Sequence, residues 1–171
     1  MRVWAPRILA KSSMKANVPE ALEQLAQAVL ELFEDANMAY ANPGERHVVS
    51  ELFALLRPRF PNYAVSNEYD RREKAIKTLG KSKIIPDLIV HHVGHQADNL
   101  LVVEVKLDGN HDYEGDIRKL SGMTEEKGKY SYAAGVHLAL SMPRRRVTRG
   151  NVYIDGAIDR ELTKWFEGKF A

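Results

Sequence analysis

The sequence predicts an α/β protein, on three observations. The runs 84–93 and 100–107 are apolar on both faces, as strands buried between layers are. Amphipathic helical stripes recur around them, at 18–37, 45–57 and 113–127. With 171 residues, 44% hydrophobic and 28% charged, the chain is sized for one domain with a substantial core. Its elements run α-β-β-β-α-β over 42–141. An arm and an extra helix precede that unit (1–41), and a short strand and a helix follow it (142–171).

Composition removes several function classes. There is no cysteine, so neither a disulfide framework nor a thiolate metal site is available. No run approaches the roughly 18 apolar residues of a membrane span. The first residues are basic but lack the uninterrupted apolar core of a secretory signal, so a cytoplasmic protein is expected. Net charge is only +2, yet the positive residues cluster. Arg57 and Arg59 form one group, and Arg71, Arg72, Lys74, Lys77, Lys81 and Lys83 a second. Arg144, Arg145 and Arg146 with Arg149 form a third. Such clusters can follow a phosphate backbone while acidic faces elsewhere cancel the total.

Residues 1–16 have no clear period and read as an arm or edge strand. The helix over 18–37 has Pro19 in its first turn and a stripe of Leu22, Leu25, Ala26, Val29, Leu32, Phe33 and Ala36. It reads as packing or dimer surface. Asn42-Pro43-Gly44 breaks the pattern. A second helix over 45–57 buries Val48, Val49, Leu52, Leu55 and Leu56. At about 100° per residue Glu45 falls near the centre of that stripe and Glu51 on its flank. A glutamate at that end of a helix can also be a cap favoured by the dipole. A strand over 63–70 and a basic, Gly-containing connection over 71–83 follow, then the two apolar strands joined through 94–99.

Asp87, Glu104 and Lys106 are set into that apolar pair. Glu104 and Lys106 are two apart on a strand and share a face. A carboxylate there needs a partner or a metal, so the alternatives are an internal Glu104–Lys106 ion pair and a cation site. A one-residue slip between the strands would put Asp87 on the other face. His91, four residues after Asp87, falls nominally on Asp87's face. Asp112 is placed to cap a helix over 113–127 that turns Ile117, Leu120, Met123 and Thr124 inward. A buried strand over 132–140, the basic loop 141–150, a short edge strand at 151–154 and a helix over 158–169 with Leu162, Trp165 and Phe166 complete the chain.

Pro86-Asp87 opening one strand and Glu104-Val105-Lys106 closing its neighbour resemble the motif of the PD-(D/E)XK nuclease superfamily. The run 45–140 is similar to small bacterial and phage members. These carry an early helix glutamate, Glu-Tyr-Asn-Arg, Pro-Asp with Val-His, and a Glu-x-Lys strand. This chain has Asp70 where that pattern has Asn, and Asp116 to Leu120 resembles the family's Asp-x-x-Lys-Leu element.

The resemblance implies a restriction-endonuclease-like core, a mixed central sheet flanked by helices. It implies Mg²⁺ (or Mn²⁺) held by Asp87, Glu104 and the Val105 carbonyl, because hard cations take oxygen ligands. It further implies Lys106 orienting the attacking water, and Glu45 completing the acidic cluster by binding a second metal or a water, with Glu51 in reserve. His91 and Lys119 would be auxiliary residues. Arg71, Arg72, Lys74, Lys77, Arg144, Arg145 and Arg146 would contact nucleic acid, DNA in the first instance. A homodimer is the family's common arrangement. The competing expectations are a non-cutting nucleic-acid-binding or assembly module, and an accessory component of a phage or defence system that cuts only with another protein. No sequence-reading module such as a helix-turn-helix is evident.

Overall fold

The computed structural model describes residues 17–68, 71–72, 75–92 and 99–171. The expectations for the arm 1–16, for Lys74 and for the strand connection at 93–98 lie outside those residues. Among the described residues the chain begins with helices α1 (Val18–Glu34), α2 (Ala36–Ala41) and α3 (Glu45–Leu56). Strand β1 (Ala64–Asn67) follows. Two pairs of two-residue strands come next, β2 (Arg71–Arg72) with β3 (Ala75–Ile76) and β4 (Thr78–Leu79) with β5 (Ser82–Lys83). Then come β6 (Leu88–His91), β7 (Leu101–Leu107), α4 (Glu114–Thr124), β8 (Ala134–Ser141), β9 (Arg146–Ile154), β10 (Ala157–Ile158) and α5 (Arg160–Glu167).

Six strands form one mixed sheet in the order β1-β6-β7-β8-β9-β10. The β7–β8 pair is parallel and the other pairs are antiparallel. A parallel pair needs a long crossover, and here α4 supplies it. All eight residues of β8 are buried, as a central strand covered on both faces requires. One face carries α1, α3 and α5, which pack Leu22, Leu25, Val29, Leu52, Leu56, Leu162 and Phe166 against Leu88, Val90, Leu101, Val103, Val136 and Leu138. The other face carries α4, whose Leu120 and Met123 meet Ile89, Val102 and Tyr153. Gly135 lets α4 approach. A Cβ there would lie 2.9 Å from the Thr124 methyl and 3.1 Å from Leu120 Cδ2.

Several expected boundaries move, each for a local reason. The helix expected over 18–37 stops at Glu34, because Asp35 adopts an extended backbone and accepts a hydrogen bond from Asn37 N–H at 2.9 Å. Such side-chain-to-backbone bonds compete with helix continuation. The paired part of the strand expected from 84 starts at Leu88, after Pro86, which has no N–H to give. The strand expected over 63–70 leaves the sheet after Asn67, and Glu68 takes a left-handed φ of 48°. Asp112 does not cap α4, whose first residue is Glu114 and whose preceding Tyr113 makes no side-chain cap.

The largest correction concerns 141–150. From Arg146 onward this stretch is not a loop but the first half of β9, a nine-residue strand paired along β8. Among the described residues only the two-residue β10 pairs along the far side of β9. Near-edge strands tolerate charge, and the arginines hid the alternation. The helix expected over 158–169 shortens to α5, followed by a 3₁₀ turn.

Candidate active site

Strand β6 starts at Leu88 while β7 runs on to Leu107, so among the described residues the β6 side of β7 has N–H groups with no strand opposite. Carboxylates take them. Val105 N–H donates to Asp87 Oδ2 at 2.8 Å, and Leu107 N–H donates to Glu45 Oε2 at 3.3 Å. N–H and C=O of one strand residue point the same way, so the Val105 carbonyl faces this side too. Continuing the Leu88–Val103 register by one residue sets Asp87 opposite Glu104. Directly opposed residues share a face, so the slip that would separate them has not occurred. The parallel register then places His137 beside Glu104 and Ala139 beside Lys106.

Helix α4 lays Asp116 and Lys119 over this row. Glu104 has 0% exposure, and its Oε2 accepts from Lys119 Nζ at 2.6 Å. Its second oxygen, Oε1, is buried and meets no hydrogen-bond partner. Lys119 also reaches the Ile85 carbonyl at 3.4 Å and Asp116 Oδ1 at 3.5 Å. Lys106 Nζ does not pair with Glu104; it lies 3.3 Å from Asp116 Oδ2 and 3.6 Å from Glu45 Oε1. His137, also with 0% exposure, sets Nε2 3.3 Å from Asp116 Oδ2. Asp116 therefore bridges both lysines and the histidine.

Four carboxylates (Glu45, Asp87, Glu104, Asp116) thus face two ammonium groups, a formal excess of two negative charges when all are ionised. Burial, followed by the facing Asp87, pushes Glu104 well above the ordinary carboxylate range. Burial raises Asp87 as well, partly offset by the Val105 N–H. For Lys106 and Lys119 burial opposes the charge. Asp116 and Glu45 outweigh it at Lys106, as Glu104 and Asp116 do at Lys119, and both lysines sit above their usual value. Burial likewise opposes ionisation of Asp116, but His137, Lys119 and Lys106 overcome it and hold Asp116 low. Four of the five shifts increase affinity for positive charge.

Of the residues expected from sequence, Glu45, Asp87, Glu104, Lys106 and Lys119 come together. Glu51 does not; it lies on the outer flank of α3, 3.8 Å from His47, with 45% of its side chain exposed. His91 is buried four residues further along β6, about 13 Å from Asp87 at strand rise, where its Nε2 meets Ser66 Oγ at 3.0 Å. Lys77 is 2% exposed and so is not on a surface that phosphates reach. Arg71 and Arg72 form β2, and Arg144, Arg145 and Arg146 are exposed at the β8–β9 turn. Asp116 and His137 were missed as site residues. Asp116 three before Lys119 was the one available hint, and a single histidine in an apolar strand gave none.

No protein-family model, no curated protein and no solved structure matches the chain. Among the described residues no three His, Asp or Glu side chains stand close enough to hold a metal ion by themselves. Mg²⁺ does not require such a cage, since it keeps several waters and takes one or two carboxylates. The orphaned, buried Glu104 Oε1 beside Asp87, with the Val105 carbonyl on the same side, is a donor set of that kind.

Proposed function

We propose that this protein is a Mg²⁺-dependent phosphodiesterase of the PD-(D/E)XK nuclease superfamily, with a restriction-endonuclease-like core, acting on DNA. The observation that carries the reading is the fully buried Glu104, one oxygen without a partner among the described residues, facing Asp87 in a cluster where four carboxylates meet two ammonium groups. Lys119 compensates one oxygen of Glu104, but a buried carboxylate oxygen left without a hydrogen bond is costly, and a ligand that takes it would offset that cost. Asp87, Glu104 and the Val105 carbonyl would hold the metal. Bound there, Mg²⁺ lowers the pKa of a coordinated water and neutralises charge on the attacked phosphate.

The chain's own residues do the rest. Lys106, held charged by Asp116 and Glu45, donates hydrogen bonds to the incoming water or to the developing oxyanion. Asp116 positions Lys106 and Lys119 together, and His137 backs Asp116 from the buried side. Glu45 takes the Leu107 N–H and one flank of Lys106, which aligns that lysine toward the end of β7.

The test is calorimetric titration of Mn²⁺ into wild type and into Asp87→Ala/Glu104→Ala, with and without a short DNA. Cleavage of single-stranded, duplex and branched DNA is then assayed. Heat that is present in wild type and absent in the double variant supports the reading. Silence with and without DNA sinks it. One observation favours a second reading, a non-cutting binding or assembly module: Lys119 already neutralises Glu104 at 2.6 Å. Under that reading DNA binds equally well with and without Mn²⁺, and no cleavage occurs.

A further inference from the structure

Arg149 lies in the same row of the sheet as Lys106. Lys106 neighbours Ala139 on β8, and Ala139 neighbours Arg149 on β9. Two strand spacings, about 10 Å, separate their backbones. The Arg149 guanidinium is fixed by neutral groups on three sides. It lies 4.9 Å from the ring centre of Tyr113. The Asn151 amide, turned so that its oxygen faces the arginine, accepts from Nη2 at 2.9 Å and from Nε at 3.2 Å. The Tyr153 hydroxyl lies beside it as well. Among the described residues no carboxylate pairs with it.

A half-buried arginine is ordinarily matched to an acid. Here the acid of the site, Asp116, is committed elsewhere. Tyr113 packs edge-on against His137 at 4.7 Å, and His137 binds Asp116, which serves the two lysines. The second ring contact of Tyr113 is His111, whose Nδ1 meets the tyrosine hydroxyl at 3.2 Å. The guanidinium is thus pre-positioned, has no carboxylate partner among the described residues, and lies in the same row as the catalytic lysine, two strands away. Asn151 and Tyr153 immobilise the fork without consuming its charge, which is the arrangement that favours a bidentate anion.

We propose that Arg149, stacked on Tyr113, binds a non-scissile phosphate of the same strand whose phosphodiester is cut beside Lys106, so that the substrate is a polynucleotide strand rather than an isolated phosphodiester. This rests on the nuclease reading of the site. It adds a contact that lies outside the Asp87/Glu104/Lys106 motif and on a different strand of the sheet.

The experiment is fluorescence anisotropy of a labelled single-stranded oligodeoxynucleotide of about a dozen residues, with Ca²⁺ in place of Mg²⁺, over a series of salt concentrations. The proteins are wild type, Arg149→Gln, Arg149→Lys and the exposed-surface control Arg118→Gln, each checked by thermal melting. For Arg149→Gln the expected result is roughly tenfold weaker binding. The slope of log affinity against log salt becomes shallower by about 0.7, the share of one single-strand phosphate. Arg149→Lys regains the slope but only part of the affinity, since a point charge replaces a fork. Arg118→Gln stays at wild-type values.

If Arg149→Gln matches wild type in affinity and slope while wild type binds, the subsite is overturned and the nuclease reading stands. Weaker binding with an unchanged slope, in Gln and Lys variants alike, assigns Arg149 a packing role and also overturns it. If wild type itself binds neither oligonucleotide nor Mn²⁺, the nuclease reading has failed and the subsite falls with it.

Discussion

Lys119 and Glu104 define the energetics of the site at the level of single residues. Glu104 is wholly buried, and Lys119 at 2.6 Å is the cation that makes its charge tolerable. Removing one member of a buried pair costs about 3–5 kcal/mol, because the other is left uncompensated. Lys119→Met is therefore expected to lower the melting temperature sharply without metal. It also removes the internal competitor for Glu104, so added Mn²⁺ should restore more stability to the variant than it gives wild type. Melting curves with and without Mn²⁺ measure both gaps; equal gaps would mean Lys119 does not compete for the carboxylate. His91 offers a separate reading of burial, away from the site. Desolvation, with Lys77 nearby, pushes its pKa down to about 4 from 6.5. The folded state then binds fewer protons than the unfolded one between those values, so stability is complete above pH 6.5 and is lost as pH falls toward 4. The loss is of order 3 kcal/mol. Urea unfolding from pH 7 to 4 should show it in wild type, and His91→Gln should flatten that dependence.

Between elements, the contact that matters is α4 on β8, for it carries Asp116 and Lys119 to Glu104. Gly135 permits it, with Thr124 2.9 Å and Leu120 3.1 Å from where a Cβ would stand. Both neighbours are buried in the α4 interface, so neither gives way freely. Gly135→Ala is expected to cost about 1–3 kcal/mol by overpacking, and to weaken Mn²⁺ binding through the displaced α4 although residue 135 touches no ligand. Calorimetry on a variant that still melts cooperatively would check this; unaltered binding would mean that α4 does not set the site. The same contact explains what the sequence could and could not disclose. Glu104 and Lys106 were legible because strand periodicity puts them on one face, whereas Asp87 was marked by its Pro-Asp motif and joins that face only through the register of β6 on β7. Glu45 was legible because helical periodicity aimed it along the stripe of α3. Asp116 and His137 acquire their roles only when a helix and a strand distant in sequence cross, and no local period encodes that crossing. The first half of β9 was missed for another reason. Its arginines, acceptable beside the two-residue β10, mask the alternation that would have marked a strand.

Taken as a whole, the molecule places its polar cluster at the end of the sheet where β7 outruns β6. Elsewhere the backbone of β7 is paired on both sides and its side chains are apolar. At this end, carboxylates take backbone N–H groups that β6 leaves unpaired and gather acidic groups against the sheet. An α/β sheet can tolerate that defect if a ligand completes it, and then stability and ligand occupancy are linked. A cation present at about 100 times its dissociation constant stabilises the folded state by about 2.7 kcal/mol. For a chain of this length each kcal/mol moves the midpoint by about 2–4 °C. Saturating Mn²⁺ should therefore raise the melting temperature of wild type by roughly 5–10 °C. Asp87→Ala/Glu104→Ala should show no metal-dependent rise, whatever its own midpoint. Arg144→Ala/Arg145→Ala/Arg146→Ala, altered at the exposed β8–β9 turn, should show the full rise. A rise of equal size in all three proteins would locate the ion away from β6 and β7, and the incomplete end of the sheet would need another explanation.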